Sequence, residues 1–195
     1  MSRKRLPRDF YARHALEVAP ELLNKVLVAP DGRAGRIVEV EAYRGADDPG
    51  SHGFRGMTRR NATMFGPPGH LYVYFTYGMH WCANVVAETD GVAAAVLLRA
   101  LTPLEGLEAM YAARRPAARR HRDLCSGPAK LTQALGIDGD LDGANLVTGD
   151  HGVTIVDDAE PPPLSPAATT RIGLTNGADL PWRFHVPGVA DMSRH

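Results

Sequence analysis

The sequence predicts an α+β fold in which a mainly antiparallel sheet is flanked by helices. Several short runs of strand-like composition are separated by turn dipeptides, as in antiparallel sheets. Other segments carry the capping residues of helices. The chain has 195 residues, of which 44% are hydrophobic, which suffices for one sizeable core but not for a second full domain. We therefore expect residues 1–195 to form a single domain.

The N-terminal part should begin with a helix and continue into a β-hairpin. Residues 15–23 have helical composition with an interruption near Pro20, and residues 26–28 change to strand composition. The dipeptide Asp31-Gly32 is typical of a hairpin turn. It predicts that the segment 35–43 is the second strand of this hairpin.

A long loop and three further strands should follow. The segment 45–68 is polar, rich in Gly and Arg and without regular periodicity, which is typical of a functional loop. Strand-like residues then recur at 71–77, 81–87 and 92–101, with turns at Tyr77-Gly78 and Asp90-Gly91. With the segment 35–43 they should form a four-stranded antiparallel meander, in which the apolar run 92–101 is central.

Two helices and two short strands are predicted in the remainder. Thr102 suits an N-cap, Pro103 the first helical position and Glu105 a capping box, so a helix should begin there and end in an arginine-rich segment. A second helix should span 128–135 and end at Gly136. The segment 138–168 should be mostly loop with a strand at 153–156, and residues 183–186 should close the sheet.

Charge and cysteine content exclude few classes of function. The formal net charge is zero, so overall charge does not predict a nucleic-acid partner. Arginines are nevertheless clustered, at positions 55, 59 and 60 and at 114, 115, 119, 120 and 122, which suits either a solvated face or a phosphate-binding stripe. His80 and Cys82 could in principle bind a metal with His52 or His70, but scattered structural residues explain them better.

No segment predicts a membrane protein. No apolar run approaches the ~20 residues that cross a bilayer, and the first residues are followed by charged ones rather than by an apolar signal region. We therefore expect a cytoplasmic protein.

The strand 35–43 is the most informative segment for function. Its alternation places Val38, Val40 and Ala42 on one face and two carboxylates and an aromatic ring, those of Glu39, Glu41 and Tyr43, on the other. The two glutamates are ~6.6 Å apart at the Cα level, a separation that also suits a sugar hydrolase with a carboxylate pair. Trp81 and Trp182 lie in no setting that suits a sugar platform.

Tyrosines are concentrated near this strand. Four of the six fall in adjacent strand segments, at positions 43, 72, 74 and 77. Each alone is best explained as a sheet residue, but together with a strand-end glutamate and an arginine-rich loop they suit the stacking of nucleobases. A nucleic-acid-binding module without catalysis would need the same tyrosines and arginines, so it remains an alternative to an enzyme.

Four runs resemble the alkyladenine (3-methyladenine) DNA glycosylase family, and the resemblance extends over residues 22–186. The runs are GRIVEVEAY at 35–43, GHLYVYFTYGM at 69–79, VLLRALTPLEG at 96–106 and LCSGPAKL at 124–131. The resemblance implies a curved sheet with a protruding β-hairpin. It also implies a monofunctional enzyme without metal or cofactor, acting as a monomer, that flips damaged purines out of double-stranded DNA and hydrolyses their N-glycosidic bond.

The resemblance also implies roles for single residues. Glu41 would be the general base that activates water, Arg99 would help to place that water, and the backbone carbonyl of Leu174 would help to hold it. Glu39 would be structural. Alkylated purines are cationic and good leaving groups, which suits a carboxylate near a guanidinium and electron-rich tyrosine faces.

The remaining roles concern DNA and the extruded base. Tyr77 would fill the gap in the duplex, and Asn84 would clash with the exocyclic amine of normal guanine. The base would stack between three rings, those of Tyr43, His52 and Tyr74. The DNA backbone would contact basic residues, for which the candidates are Arg59, Arg60 and Lys130. Lys130 lies early in a predicted helix, which suits a phosphate contact better than a Schiff-base nucleophile.

Overall fold

The computed structural model describes residues 3–193, which form nine β-strands and four α-helices. The strands are β1 (Lys4–Arg5), β2 (Val26–Val28), β3 (Ala34–Arg44), β4 (Leu71–Thr76), β5 (His80–Val86), β6 (Ala94–Glu105), β7 (Thr154–Asp157), β8 (Ala167–Thr169) and β9 (Arg183–His185). The helices are α1 (Arg8–Tyr11), α2 (Ala15–Leu22), α3 (Leu107–Ala113) and α4 (Pro128–Leu135). Short 3-10 turns lie at Ala62–Phe65, His121–Asp123 and Gly139–Leu141. None of the helices within residues 3–193 is long and apolar enough to cross a bilayer.

The strands form one sheet in the order β1-β7-β2-β3-β6-β5-β4, and every pairing is antiparallel. Strand β3 pairs with β2 through residues 34–36 and with β9 through residues 39–41. Strand β8 pairs with β9. Helices and an antiparallel sheet therefore confirm the predicted α+β class.

The predicted four-stranded meander is only partly correct. Strands β4, β5 and β6 are consecutive neighbours, but β3 pairs with β6 and not with β4. The long loop between β3 and β4 allows this arrangement, because a tight turn is what forces successive strands to be neighbours. Strand β6 is accordingly central and almost completely buried, as predicted.

The predicted start of the helix that follows the central strand, at Thr102, was wrong. Residues 102–105 extend β6 and pair with residues 34–36 of β3, and α3 begins only after Gly106, which has a φ of 73°. The Thr102 hydroxyl donates a hydrogen bond to Asp191 (2.8 Å) rather than capping a helix. Pairing with the long strand β3 thus outweighs a local capping signal.

Two other local predictions differ in outcome. Helix α2 continues through Pro20, because its buried face packs in the core and outweighs one lost main-chain hydrogen bond. Helix α4 has the predicted bounds and ends at Gly136, which has a φ of 65°. Strands β7 and β9 confirm the two short strands predicted in the C-terminal part, and β1, α1 and β8 were not predicted.

The two faces of the sheet have different environments. Helices α2 and α4 cover one face, where they share the main core with apolar residues of β3, β4, β5 and β6. A smaller cluster on the other face includes Met64 and Tyr72, with Tyr43 and Tyr74 packed against it. This second face lies under the loop that follows β3, and it carries the candidate site.

Two β-bulges set the direction of side chains at this face. Ile37 pairs with Leu101 and Glu39 with Ala100, so Val38 is an extra residue in β3. Ile37, rather than Val38, therefore shares the main core with Val40 and Ala42, contrary to the simple alternation. Since Val40 pairs with Leu98, Arg99 is in turn the extra residue in β6.

Candidate active site

A buried cluster of two carboxylates and two guanidinium groups lies where β3, β6 and β9 meet. Arg99 bridges the carboxylates, with Nε 3.1 Å from Glu39 Oε1 and Nη1 3.1 Å from Glu41 Oε2. Arg183 contacts Glu39 as well, at 3.2 Å. Both glutamates have 0% exposure, so neither is a solvated strand residue. The bulge at Arg99 directs its side chain towards this cluster, and opposite charges compensate one another within it.

Glu41 accepts three hydrogen bonds from different parts of the chain. Its Oε2 accepts from Arg99 and from the Tyr43 hydroxyl (2.8 Å), and its Oε1 accepts from the backbone N–H of Ile172 (2.7 Å). A carboxylate has about four acceptor positions. The contacts fix the carboxylate firmly and leave Oε1 with room for one more donor.

Glu39 is bound differently. Its Oε1 accepts from Arg99, Arg183 and the Ser193 hydroxyl, and its Oε2 accepts from the backbone N–H of Ser193 at 2.6 Å. These four donors occupy the carboxylate. The two glutamates are therefore not equivalent, and a saturated Glu39 does not suit a carboxylate pair that hydrolyses sugars.

Tyr43 connects Glu41 to the adjoining pocket. Burial and, next, the neighbouring Glu41 raise the pKa of its hydroxyl, so Tyr43 remains a protonated donor at neutral pH. On the buried side of its ring, Arg171 Cζ lies 4.6 Å from the ring centroid. Arg171 also forms a fully buried, bidentate ion pair with Asp48, at 2.5 and 2.7 Å. This pair joins the loop after β3 to the segment that presents Ile172 to Glu41.

The pocket has a volume of about 230 Å³, and four tyrosines and one histidine are among its lining residues. Tyr43, Arg99 and Ile172 line it, and Glu41 lies directly behind them. The other lining residues include His52, Tyr72, Tyr74, Tyr77, Cys82, Asn84 and Leu174. A flat ring could enter between these side chains and reach the edge of the charged cluster.

His52 stands against the tyrosines of β4. Its ring centroid is 4.5 Å from that of Tyr74 at an interplanar angle of 76°, and its Nδ1 is 3.1 Å from the Tyr72 hydroxyl. Loss of hydration, assisted by the charge of Arg60, lowers the pKa of His52, so the imidazole is neutral at pH 7. Burial raises the pKa of Tyr72 to about 12, which keeps its hydroxyl protonated.

Asn84 and Leu174 both lie on the pocket wall. Asn84 is buried and donates a hydrogen bond from Nδ2 to the backbone carbonyl of Tyr72 (3.1 Å), which fixes its amide. Leu174 lines the pocket, but the residue of this segment that contacts Glu41 is Ile172.

The hairpin of β4 and β5 carries an exposed apolar tip. Tyr77 is 85% exposed and has a φ of 52°, and Gly78 follows with a φ of 67°. Phe75 and Met79 on either side are also exposed. Because Tyr77 both lines the pocket and projects from the turn, it stands at the mouth of the site.

The basic residues around the mouth differ in their contacts. Arg59 and Arg60 are both exposed, and Arg60 donates to the Phe75 carbonyl (3.0 Å) and lies over the Tyr74 ring. Lys130, in the first turn of α4, has its Nζ 3.3 Å from the Ser126 hydroxyl. In the second arginine cluster, Arg114 is buried and donates to Gln133.

Sequence reasoning did not identify several residues of this site. Asp48, Arg171, Ile172, Arg183 and Ser193 all contact the cluster or its supports. The role expected for Leu174 indicated the segment that contains Arg171 and Ile172, but no sequence signal indicated Asp48 or Ser193. Within residues 3–193, no three histidines, cysteines or acidic residues are placed to hold a metal ion.

Comparison with known proteins defines the class of this chain, which is that of the DNA glycosylases. The family model described as "Methylpurine-DNA glycosylase (MPG)" matches residues 9–190. The chain is 63% identical over 183 residues to a Burkholderia lata protein named "Putative 3-methyladenine DNA glycosylase", covering 94% of this chain and 88% of the relative. A relative of the same name from Methanoculleus marisnigri is 50% identical over 97% of this chain and 98% of its own length. More particularly, the chain belongs to the methylpurine-DNA glycosylase family.

Proposed function

We propose that this protein is a monofunctional glycosylase that flips alkylated or deaminated purines out of duplex DNA and hydrolyses their N-glycosidic bond. The observation that carries the proposal is the position of Glu41, fixed by three donors directly behind an aromatic pocket. The pocket lies beside an exposed hairpin tip, which suits a base that has left the helix. Candidate substrates are 3-methyladenine, 7-methylguanine, hypoxanthine and ethenoadenine.

In the proposed reaction, water attacks the C1′ carbon of the sugar as the bond to the purine nitrogen breaks. Glu41 accepts a proton from this water at the remaining position of Oε1, and its charge supports the oxocarbenium-like transition state. The bonding electrons leave with the purine. A cationic alkylated purine becomes neutral as it departs and needs no general acid.

Arg99 would keep Glu41 oriented and stabilise negative charge beside it. Its Nη1 contacts Glu41 and the side chain lines the pocket, so one guanidinium would contact both the carboxylate and the reacting water. Tyr43 and Ile172 would hold the same carboxylate from the other sides.

The rings of the pocket would provide selectivity. Tyr43, His52 and Tyr74 offer faces and edges to a purine, and a neutral His52 does not repel a cationic one. Asn84 is fixed by its bond to Tyr72 and would oppose the exocyclic amine of guanine. Tyr77 would occupy the space that the flipped base vacates.

Basic side chains near the mouth would contact the DNA backbone. Arg59, Arg60 and Lys130 are the candidates, and the position of Lys130 at the start of α4 suits a phosphate. We expect the protein to act as a monomer on DNA in the cytoplasm and to leave an abasic site without cutting the strand.

The experiment is to incubate the protein with duplex DNA that has been methylated at purines, and with the same DNA unmethylated. Release of methylated bases and formation of alkali-labile sites, only from methylated DNA, would support the proposal. Binding without base release would instead indicate a nucleic-acid-binding module. Strand cleavage without alkali would contradict monofunctional action.

A further inference from the structure

The last described residues return to the charged cluster. Asp191 accepts a hydrogen bond from Thr102 of β6, and two residues later Ser193 is buried against Glu39 and Arg99. The backbone N–H of Ser193 donates to Glu39 Oε2 (2.6 Å), and its hydroxyl donates to Glu39 Oε1 (2.7 Å). The same hydroxyl oxygen accepts from Nε (3.2 Å) and Nη2 (3.1 Å) of Arg99.

These contacts determine how the Arg99 guanidinium is oriented. Ser193 occupies the edge formed by Nε and Nη2, which leaves Nη1 directed at Glu41. Without the Ser193 hydroxyl, Nη2 would lose its acceptor and Nε would keep only Glu39 Oε1. The guanidinium would then be free to rotate, and Nη1 would no longer be held on Glu41.

We propose that Ser193 is a positioning residue that holds the Nε–Nη2 edge of Arg99 and thereby keeps Nη1 on Glu41. This inference rests on the proposed glycosylase function of Glu41 and Arg99. Ser193 does not line the pocket, so its effect on the reaction would pass through Arg99. The residues that bind the extruded base would be unaffected.

The expected consequence is a slower chemical step with unchanged binding of DNA. Small misplacements of a group that acts on the transition state reduce rates by one to two orders of magnitude. Because Ser193→Ala removes only the hydroxyl and keeps the backbone N–H, we expect a loss of roughly 10-fold in the single-turnover rate constant. Ser193→Thr keeps a hydroxyl at the same place and should retain most of the rate.

The matched control is Thr132→Val. Thr132 is also buried, and its hydroxyl donates to the backbone carbonyl of Trp81 (2.9 Å), outside the charged cluster. Asp191→Ala is a second test variant, because it releases the tether to Thr102 without touching the buried carboxylates. The single-turnover rate of Asp191→Ala should also be lower than that of the wild type. This variant therefore tests the proposal if Ser193→Ala does not fold.

The experiment measures single-turnover base release from a methylated duplex, the affinity for the same duplex, and thermal unfolding by circular dichroism. A slower Ser193→Ala with unchanged affinity, a near-normal Ser193→Thr and a normal rate in Thr132→Val would support the proposal. Wild-type rates in Ser193→Ala, equal losses in Ser193→Thr, or an equal loss in Thr132→Val would overturn it while the glycosylase function stands. An inactive wild type would instead overturn the proposed function and this inference with it.

Discussion

The charge behind the Tyr43 ring offers a quantitative test of how the pocket treats cationic purines. Arg171 Cζ is 4.6 Å from the ring centroid, and Asp48 balances its charge through two contacts. A purine on the pocket face would lie roughly 3.5 Å beyond the ring, and so about 8 Å from the guanidinium. Two unit charges about 8 Å apart repel by ~2 kcal/mol at an effective dielectric constant of ~20.

Asp48→Asn removes the balancing charge and keeps the shape of the side chain. Excision of a cationic purine should then slow by roughly 30-fold relative to excision of a neutral one, because ~1.4 kcal/mol corresponds to a factor of ten. The same change leaves a buried guanidinium unpaired, so the free energy of unfolding should fall by ~3–5 kcal/mol.

The assay compares single-turnover excision from duplexes that contain one 7-methylguanine or one hypoxanthine, below the unfolding temperature of the variant. A general loss of activity lowers both excision rates equally, so the ratio of the 7-methylguanine rate to the hypoxanthine rate reports only the effect of the purine's charge. Asp158→Asn is the control, because its ion pair with Arg36 lies outside the pocket and outside the charged cluster. A ratio that is the same in Asp48→Asn as in the wild type would refute the reasoning about Arg171.

Three further predictions concern the hairpin, the backbone contacts and His52. Tyr77→Ala should weaken binding to lesion DNA and slow base flipping, and an unchanged single-turnover rate would contradict the role of this exposed ring. The logarithm of the DNA-binding constant should fall linearly with the logarithm of salt concentration, and Lys130→Ala should reduce the slope by about one; a flat profile in the wild type would place the basic residues away from DNA. The pKa of His52 is lowered in the folded state, so the unfolded state binds the proton more readily. The free energy of unfolding should therefore fall as the pH drops below about 6.5, the usual pKa of histidine. His52→Gln should remove this contribution in urea titrations at pH 7.5 and pH 5.5, and identical pH dependence in both proteins would argue against it.

Local signals in the sequence predicted elements well where nothing distant competes with them. Helix α4 begins with Pro128 and ends at Gly136 as expected, because both residues act within one turn. Thr102 carries an equally good capping signal, yet it lies in β6. Thr102 pairs with a residue of β3 that lies some 65 positions earlier in the chain. No local sequence pattern indicates a pairing over this distance.

In the candidate site, too, local signals were predictive and distant contacts were not. The strand pattern predicted that Glu39, Glu41 and Tyr43 share a face, but regular alternation could not reveal the bulge that makes Arg99 the extra residue opposite Glu39. Alternation alone also left the two glutamates equivalent. They differ because Ile172 and Ser193, more than 130 positions away, donate to different carboxylates.

The most direct test of the account compares Glu41→Gln with Glu39→Gln in single-turnover excision from methylated duplex DNA. Glu41→Gln should lose ~10²–10⁴-fold in rate, the usual contribution of a general base, while its affinity for the duplex is retained. Glu39→Gln should lose much less, because Glu39 is occupied by its four donors and supports the cluster. Wild-type rates in Glu41→Gln, or equal losses in the two variants, would contradict the assignment of Glu41 as the single base.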